Sequence, residues 1–334
     1  MQAFEYAHPA SVKEALGLLG SSWEDAQVIA GGTDLISLMK DNVAAPKRVI
    51  NIKGIPELNG IRSGAEGMTI GALVTYDELI ENASVKREFP GLVQAVDDIA
   101  STQIRNMGTV GGGLCQRPRC WYFRNGFGLL ATDKNGKSLV PNGENQYHAI
   151  LGNDGPAYYV HPSSLAPALI ALDAKVRLMG PNGPREMRVG EFFQIPKSAS
   201  EREIVLQPNE IVKDILIPAS SRGFQSASYE VRQKLTFDWP LATAAVAVKM
   251  NAGKVSDARI VLGHVAPVPW PAPEAAKGLI GRPLNETNAA AAGIAALAGA
   301  KPLSKNGYKI KLAQVAVKRA LLRVGGGPSE KGAE

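Results

Sequence analysis

Between Ser101 and Arg124 the chain reads STQIRNMGTVGGGLCQRPRCWYFR, and within it Gly108, Gly111, Gly112 and Gly113 crowd together beside Arg105, Asn106 and Thr109. Glycines this dense free the backbone for positive φ and remove the Cβ atoms that would hold a ligand away. Successive amides in such a loop can converge on one concavity suited to phosphate oxygens. A second loop of the same kind, Ala30-Gly31-Gly32-Thr33-Asp34-Leu35, follows the short apolar run Val28-Ile29. Two amide-rich loops, each with a threonine hydroxyl, suit a ligand with a pyrophosphate in its middle and polar groups at both ends. Neither keeps the G-x-G-x-x-G spacing of a dinucleotide fingerprint. Gly136-Lys137-Ser138 has the tail of a P-loop, but Ala131 stands where its first glycine belongs. Glycine pairs also serve plain turns, so the residues alone leave a structural role open.

A chain of 334 residues exceeds what one hydrophobic core usually organises, so two or three domains are expected. The net charge of +6 fits an acidic partner, an anionic cofactor or a solvated basic surface, and no Lys/Arg run of nucleic-acid type accompanies it. Cys115 and Cys120 are the two cysteines, too few for disulfides to be the stability strategy. No apolar run approaches the length of a membrane span. The start MQAFEYAHPAS lacks the basic and apolar regions of a signal peptide, which points to cytoplasmic folding.

In order along the chain, residues 11–20 read as a helix with Ser11 as N-cap and Glu14 three positions on. Val28 to Ala30 and Arg48 to Ile52 read as strands around a helical pattern at Leu35 to Met39, which makes a small α/β lobe over residues 1–53. Residues 54–221 then offer strands at 68–76, 157–160, 175–179 and 210–217 that would complete a mixed sheet, with helices at 77–82, 89–99 and 163–172. Residues 125–145 read as an irregular, polar excursion. A turn-rich linker at 218–223 leads to a separate α+β domain over 222–324, and the tail 325–334 is disordered by composition.

The loop AGGTDL, followed downstream by QIRNMGTVGGGL, resembles the FAD-binding medium subunit of the molybdenum hydroxylases, the family of xanthine dehydrogenase, aldehyde oxidoreductase and carbon monoxide dehydrogenase. The run LCQRPRCWYFRN is similar to the periplasmic aldehyde oxidoreductase branch, and the likeness extends from about Phe4 to Leu322. The resemblance implies an α+β chain: a two-lobed FAD-binding fold of the vanillyl-alcohol oxidase/PCMH type, then a carbon monoxide dehydrogenase flavoprotein C-terminal domain. It implies FAD as cofactor, a large molybdenum-cofactor subunit and a small [2Fe–2S] subunit as partners, and NAD+, dioxygen or another acceptor for the electrons. Export to the periplasm in complex with a signal-bearing partner stays open on the same ground.

By that resemblance the cofactor contacts are Ala30, Gly31, Gly32, Thr33, Asp34, Leu35, Arg105, Asn106, Gly108, Thr109, Gly111 and Gly112. Ser164 stands where the family usually carries an Asp toward the ribose or ribityl portion, and it can hydrogen-bond a hydroxyl or simply cap its helix. Lys234, with Phe237, Asp238 and Trp239, falls in the segment expected over the isoalloxazine end, Trp239 reading better as core. Asn106 can equally serve its own backbone, and Arg105 a salt bridge. No catalytic constellation is present. Branch members often hold a [4Fe–4S] cluster here; Cys120 matches its first ligand, but the excursion supplies none of the other cysteines and His148 stands alone, so no metal site is expected. Two rival readings remain: a self-contained FAD oxidase of the vanillyl-alcohol type, and a scaffold subunit that has lost its flavin.

Overall fold

The computed structural model describes residues 1–233 and 237–324. The tail reading at 325–334 therefore lies outside the described residues.

The N-terminal lobe is a parallel sheet of β1 (Glu5–Ala7), β2 (Ala26–Ile29) and β3 (Arg48–Asn51), ordered β1-β3-β2. The helix Val12–Leu18 starts where expected, with Ser11 Oγ accepting from Glu14 N at 3.2 Å. It buries Val12 and Ala15 against Ala26, Ile50 and Ile52. β2 delivers the chain to the first glycine loop at the rim of this lobe.

The second lobe holds β4 (Ile61–Ser63), β5 (Gly67–Gly71), β6 (Lys175–Gly180), β7 (Gly183–Arg188) and β8 (Ile211–Pro218) in the order β4-β5-β8-β6-β7. Every pairing is antiparallel, so the expected mixed sheet is corrected. The expected strand at 157–160 is also absent. Ala157 and Tyr159 are buried in alternation as a strand would have it, but Tyr158 O meets one lone amide, that of Ala149, and no ladder forms. The helix Pro90–Asp97 places Leu92 and Val96 fully inside, each contributing about 2 kcal/mol of apolar burial. It leads the chain to the second glycine stretch.

The C-terminal sheet runs β12-β11-β10-β9 from β9 (Gln225–Val231), β10 (Ala242–Asn251), β11 (Lys254–Gly263) and β12 (Trp270–Pro271), all antiparallel. β10 is apolar without alternation because both its faces are covered. Ala245 and Ala247 join the core of the second lobe, whereas Ala244, Val246 and Val248 pack with the helices Glu286–Ala296 and Tyr308–Val324.

The excursion crosses between these units. Ile150 and Leu151 lie in the C-terminal core, and the amides of both donate to Val265 O. Asn153 Nδ2 donates to Lys301 O at 2.8 Å. Lys309, 1% exposed, donates from Nζ to the carbonyls of Tyr147, His148 and His264 at 3.1, 3.2 and 2.7 Å. Burial pulls its ammonium down to about 7.

Candidate functional site

The first glycine loop leaves β2 at Ile29 and enters the helix Leu35–Lys40. Among the described residues, the amides of Ala30, Gly31, Gly32, Thr33 and Asp34 donate to no acceptor within the chain. These donors sit at the opening turn of a helix, where backbone N–H groups lack intrahelical partners and favour an anion. Gly31 is fixed by contact: a Cβ there would lie 1.7 Å from the Met107 carbonyl oxygen, so the two glycine stretches touch backbone to backbone.

The second stretch is not the open loop its glycines suggest. It forms two short helices, Thr102–Met107 and Val110–Cys115, with Thr109 as N-cap of the latter. Its amides face the protein. Gly108 N donates to Ile104 O, Val110 N to Val74 O, Gly111 N to Ala72 O, Gly112 N to Thr109 Oγ1 and Gly113 N to Thr109 O. The open nest of amides expected here is therefore not formed: from Gly108 to Gly113 only the Thr109 amide is left without an acceptor among the described residues. Gly113 lets the helix lie on buried Tyr76, whose hydroxyl a Cβ would meet at 2.0 Å. Gly112 differs: a Cβ there meets nothing within 4 Å but Thr109 Oγ1, at 3.0 Å, and otherwise opens on free space.

That space joins two cavities. The first, of about 1040 Å3, is lined by the loop Ala30–Leu35 together with Trp23, Cys115, Arg117 and Arg202. The second, of about 750 Å3, is lined by Tyr76, Asp98, Arg119, Ser164, Glu230 and Trp239 among others. Thr33, Asp34, Thr109, Gly112 and Gln116 line both, so they form a waist. Together the two cavities suit an elongated ligand bound at its middle.

The carboxylate of Asp34 is already occupied. Its Oδ2 accepts the Arg117 amide at 2.7 Å, and its Oδ1 accepts Arg124 Nη2 at 2.8 Å and Arg119 Nη1 at 3.0 Å. What Asp34 offers a ligand is main chain; its side chain ties QRPRCWYFR to the first loop. Arg117 also pairs with buried Glu203. Arg202 stacks 3.9 Å over Trp23 in the first cavity, and burial lowers its guanidinium to about 9. This basic wall is missing from the sequence reading, where QRPRCWYFR drew notice for its likeness to the aldehyde oxidoreductase branch and for its cysteines.

Arg105 and Asn106 line neither cavity. Arg105 Nη1 donates to Ile99 O at 3.0 Å, and Asn106 Nδ2 to Thr102 O at 3.0 Å, so both brace the helix that carries them. Ser164 begins the helix Leu165–Ala171 without a side-chain cap bond; instead its hydroxyl faces the Glu230 carboxyl in the second cavity. Lys234 lies outside the described residues. Trp239 is not core: it is 40% exposed at the cavity, with the Arg119 guanidinium 4.2 Å over its ring. Glu230 and Tyr76 were not singled out in the sequence; their strand and helix positions carry no local signal of a cavity.

His148 does not stand alone in space. Its Nε2 lies 3.2 Å from Cys120 Sγ, between the rings of Trp121 and Tyr122. Burial and the nearby Lys309 charge push the imidazole down to about 4, and burial pushes the thiol up, so a neutral thiol faces a neutral ring. Among the described residues no three His, Cys, Asp or Glu side chains gather as a metal would need, and no helix is long and apolar enough to cross a membrane.

Comparison with known proteins agrees with this architecture. Residues 2–220 match the FAD binding domain in molybdopterin dehydrogenase, and residues 227–324 the CO dehydrogenase flavoprotein C-terminal domain. The chain is 33% identical to the carbon monoxide dehydrogenase medium chain of Hydrogenophaga pseudoflava, over 95% of this chain and 96% of that one. It is 30% identical to the aldehyde oxidoreductase FAD-binding subunit PaoB of Escherichia coli, over 94% and 96%. A solved carbon monoxide dehydrogenase from Hydrogenophaga pseudoflava, lacking the Mo-pyranopterin moiety of its cofactor, superposes with a TM-score of 0.75 at 32% identity, covering 97% of this chain and 98% of that one.

Proposed function

Because this chain belongs to the FAD-binding medium subunits of the molybdenum hydroxylase family, we propose that it carries electrons through FAD between partner subunits and a final acceptor. The observation that carries the reading is the run of unpaired amides from Ala30 to Asp34, set where two cavities meet. Those amides would hold the cofactor's pyrophosphate, with the Thr33 and Thr109 hydroxyls beside it; charge-assisted bonds of this kind are short and strong. Arg202 adds a positive charge on the first-cavity side. Tyr76, Phe237 and Trp239 give the second cavity the aromatic lining that a flavin ring calls for. When bound, the flavin supplies the exchange between single electrons and pairs, and the protein contributes position and surroundings. The single electrons would come from the [2Fe–2S] clusters of a small subunit, after substrate oxidation at a molybdenum centre on a large one. The pair would go to NAD+, dioxygen or another acceptor.

The self-contained oxidase reading loses ground because, among the described residues, no substrate-activating constellation lines either cavity. Cys115 lines the first cavity, but burial pushes its thiol up to about 12, which leaves it a poor tether. The purified chain is expected to release all yellow colour on denaturation and filtration; colour retained on the polypeptide overturns noncovalent binding. FAD at a hundredfold excess over its dissociation constant should stabilise the chain by about 2.7 kcal/mol, and an unchanged melting temperature speaks for the scaffold reading. Separated from its partners, the chain should hold only trace iron; about four irons per flavin would restore a cluster site.

A further inference from the structure

On β9 the side chains of Ser226, Ser228 and Glu230 share the face toward the helix Pro90–Asp97. Ser226 Oγ accepts the Gly91 amide at 3.1 Å, and the Ser228 amide donates to Gln94 Oε1 at 2.9 Å. Glu230, last of the three, reaches past the end of that helix into the second cavity. Its Oε1 is buried and, among the described residues, has no hydrogen-bond partner. The nearest guanidinium, that of Arg232, is committed elsewhere: it donates to Asp98 O at 2.7 Å and to Asp98 Oδ1 at 3.3 Å. A buried carboxylate oxygen without a donor is costly, and native structures rarely keep one unless something else supplies the donor.

The character of the second cavity narrows what that donor is. Asp98, Glu230 and Asp238 line it, and its arginine, Arg119, is paired with Asp34. A phosphate would meet repulsion there, whereas the first cavity and the waist offer unpaired amides and Arg202. The phosphates of FAD thus belong at the waist and its neutral half in the second cavity. Between phosphate and ring that half carries sugar-type hydroxyls, which both donate and accept. Glu230 and Ser164 together supply an acceptor and a hydroxyl.

Resting on the FAD reading above, we propose that Glu230 accepts a hydrogen bond from a ribityl hydroxyl of FAD, with Ser164 as the second partner of the same chain of hydroxyls. The carboxylate enters from β9, in the C-terminal domain, so the cofactor is gripped from both sides of the domain seam. In the unliganded chain the group is primed for this: burial and the Asp98 charge push its carboxyl up to about 7, while Ser164 and Arg232 pull it down. A hydroxyl donor favours the anion and draws the proton off.

The test compares FAD with ADP on the full chain. ADP contains the adenosine and phosphates but none of the ribityl chain. FAD binding is followed by flavin fluorescence and ADP by displacement of FAD. Glu230→Gln should weaken FAD roughly tenfold to a hundredfold, the size of a lost charge-assisted bond, while ADP stays within about twofold. The unliganded melting temperature should hold or rise, because a buried unpaired charge has been removed. Ser164→Ala, which removes no cap bond, should show the same split in smaller size. In the unmutated chain FAD affinity should rise from about pH 6 to pH 8, and Glu230→Gln should flatten that rise. FAD affinity within about twofold of normal in Glu230→Gln, or a parallel loss of FAD and ADP, overturns the proposal. An unmutated chain that binds no FAD sinks the cofactor reading and this inference with it.

Discussion

The loop Ala30–Leu35 and the turn Gly108–Gly113 hold the same ingredients, adjacent glycines beside a threonine, and put them to opposite uses. In the first, five consecutive amides have no acceptor among the described residues; in the second, every amide from Gly108 to Gly113 except that of Thr109 has an acceptor within the protein. The difference comes from neighbours, not composition. The first loop leaves an edge strand of a small parallel sheet and leads into a helix, and no carbonyl takes up its donors among the described residues. The second lies along Ala72 and Val74, whose carbonyls take up the Gly111 and Val110 amides, while Ile104 and Thr109 take up the rest. One stretch is a surface for a ligand, the other a floor that lets the ligand come close.

Substitutions can break this contrast, and the largest effect belongs to Gly31. Its Cβ would collide with the Met107 carbonyl, backbone against backbone. Gly31→Ala should lose about 3 kcal/mol of stability, read by thermal melting, along with flavin binding. A melting temperature within about 1 °C of the parent would mean that the loops can part freely.

Next comes Gly112, where the added side chain enters the waist. Gly112→Val should keep stability within about 1 kcal/mol, because only Thr109 Oγ1 stands close. FAD affinity should nevertheless fall about a hundredfold, measured by fluorescence titration. Equal affinity would show that the ligand keeps clear of the second stretch.

Thr109→Ala removes a helix N-cap, accepting from Gly112 N at 3.1 Å, and should cost about 1 kcal/mol. If Thr109 also donates to a phosphate, FAD weakens as well, and a normal affinity would limit Thr109 to capping. The smallest effect is expected at Asn106, which braces an exposed helix end. Asn106→Ala should change stability by less than about 0.5 kcal/mol and leave FAD affinity level; a clear loss would move the second stretch back among the ligand contacts.

Much of the fold could be read from the chain alone, and the unread parts share one cause. Ser11 announced its helix because a cap is local. Residues 157–160 misled because burial alternates there without a neighbouring strand to pair. The amides of Val110 and Gly111 misled likewise: their acceptors are the carbonyls of Val74 and Ala72, well upstream in sequence. Asp34 looked like a ligand group, yet its carboxylate is claimed by arginines far downstream. Glu230 gave no sign at all, since nothing in SYEVRQ tells that its oxygen ends in a cavity. Local chemistry was legible; the long-range partner that decides how it is used was not.

The buried amine of Lys309 has a consequence for how such a chain is made. Ribosomes release the N-terminus first, at about 5–20 residues per second. The stretch 145–153 therefore emerges on the order of ten seconds before the residues that receive it, Lys301 through Lys309. During that interval the carbonyls of Tyr147 and His148 lack their ammonium, and Ile150 and Leu151 lack the helices they pack on. Translation must run into the last helix before residues 145–153 of the FAD-binding half can close, so a chain halted ahead of Tyr308 leaves two domains unfinished instead of one.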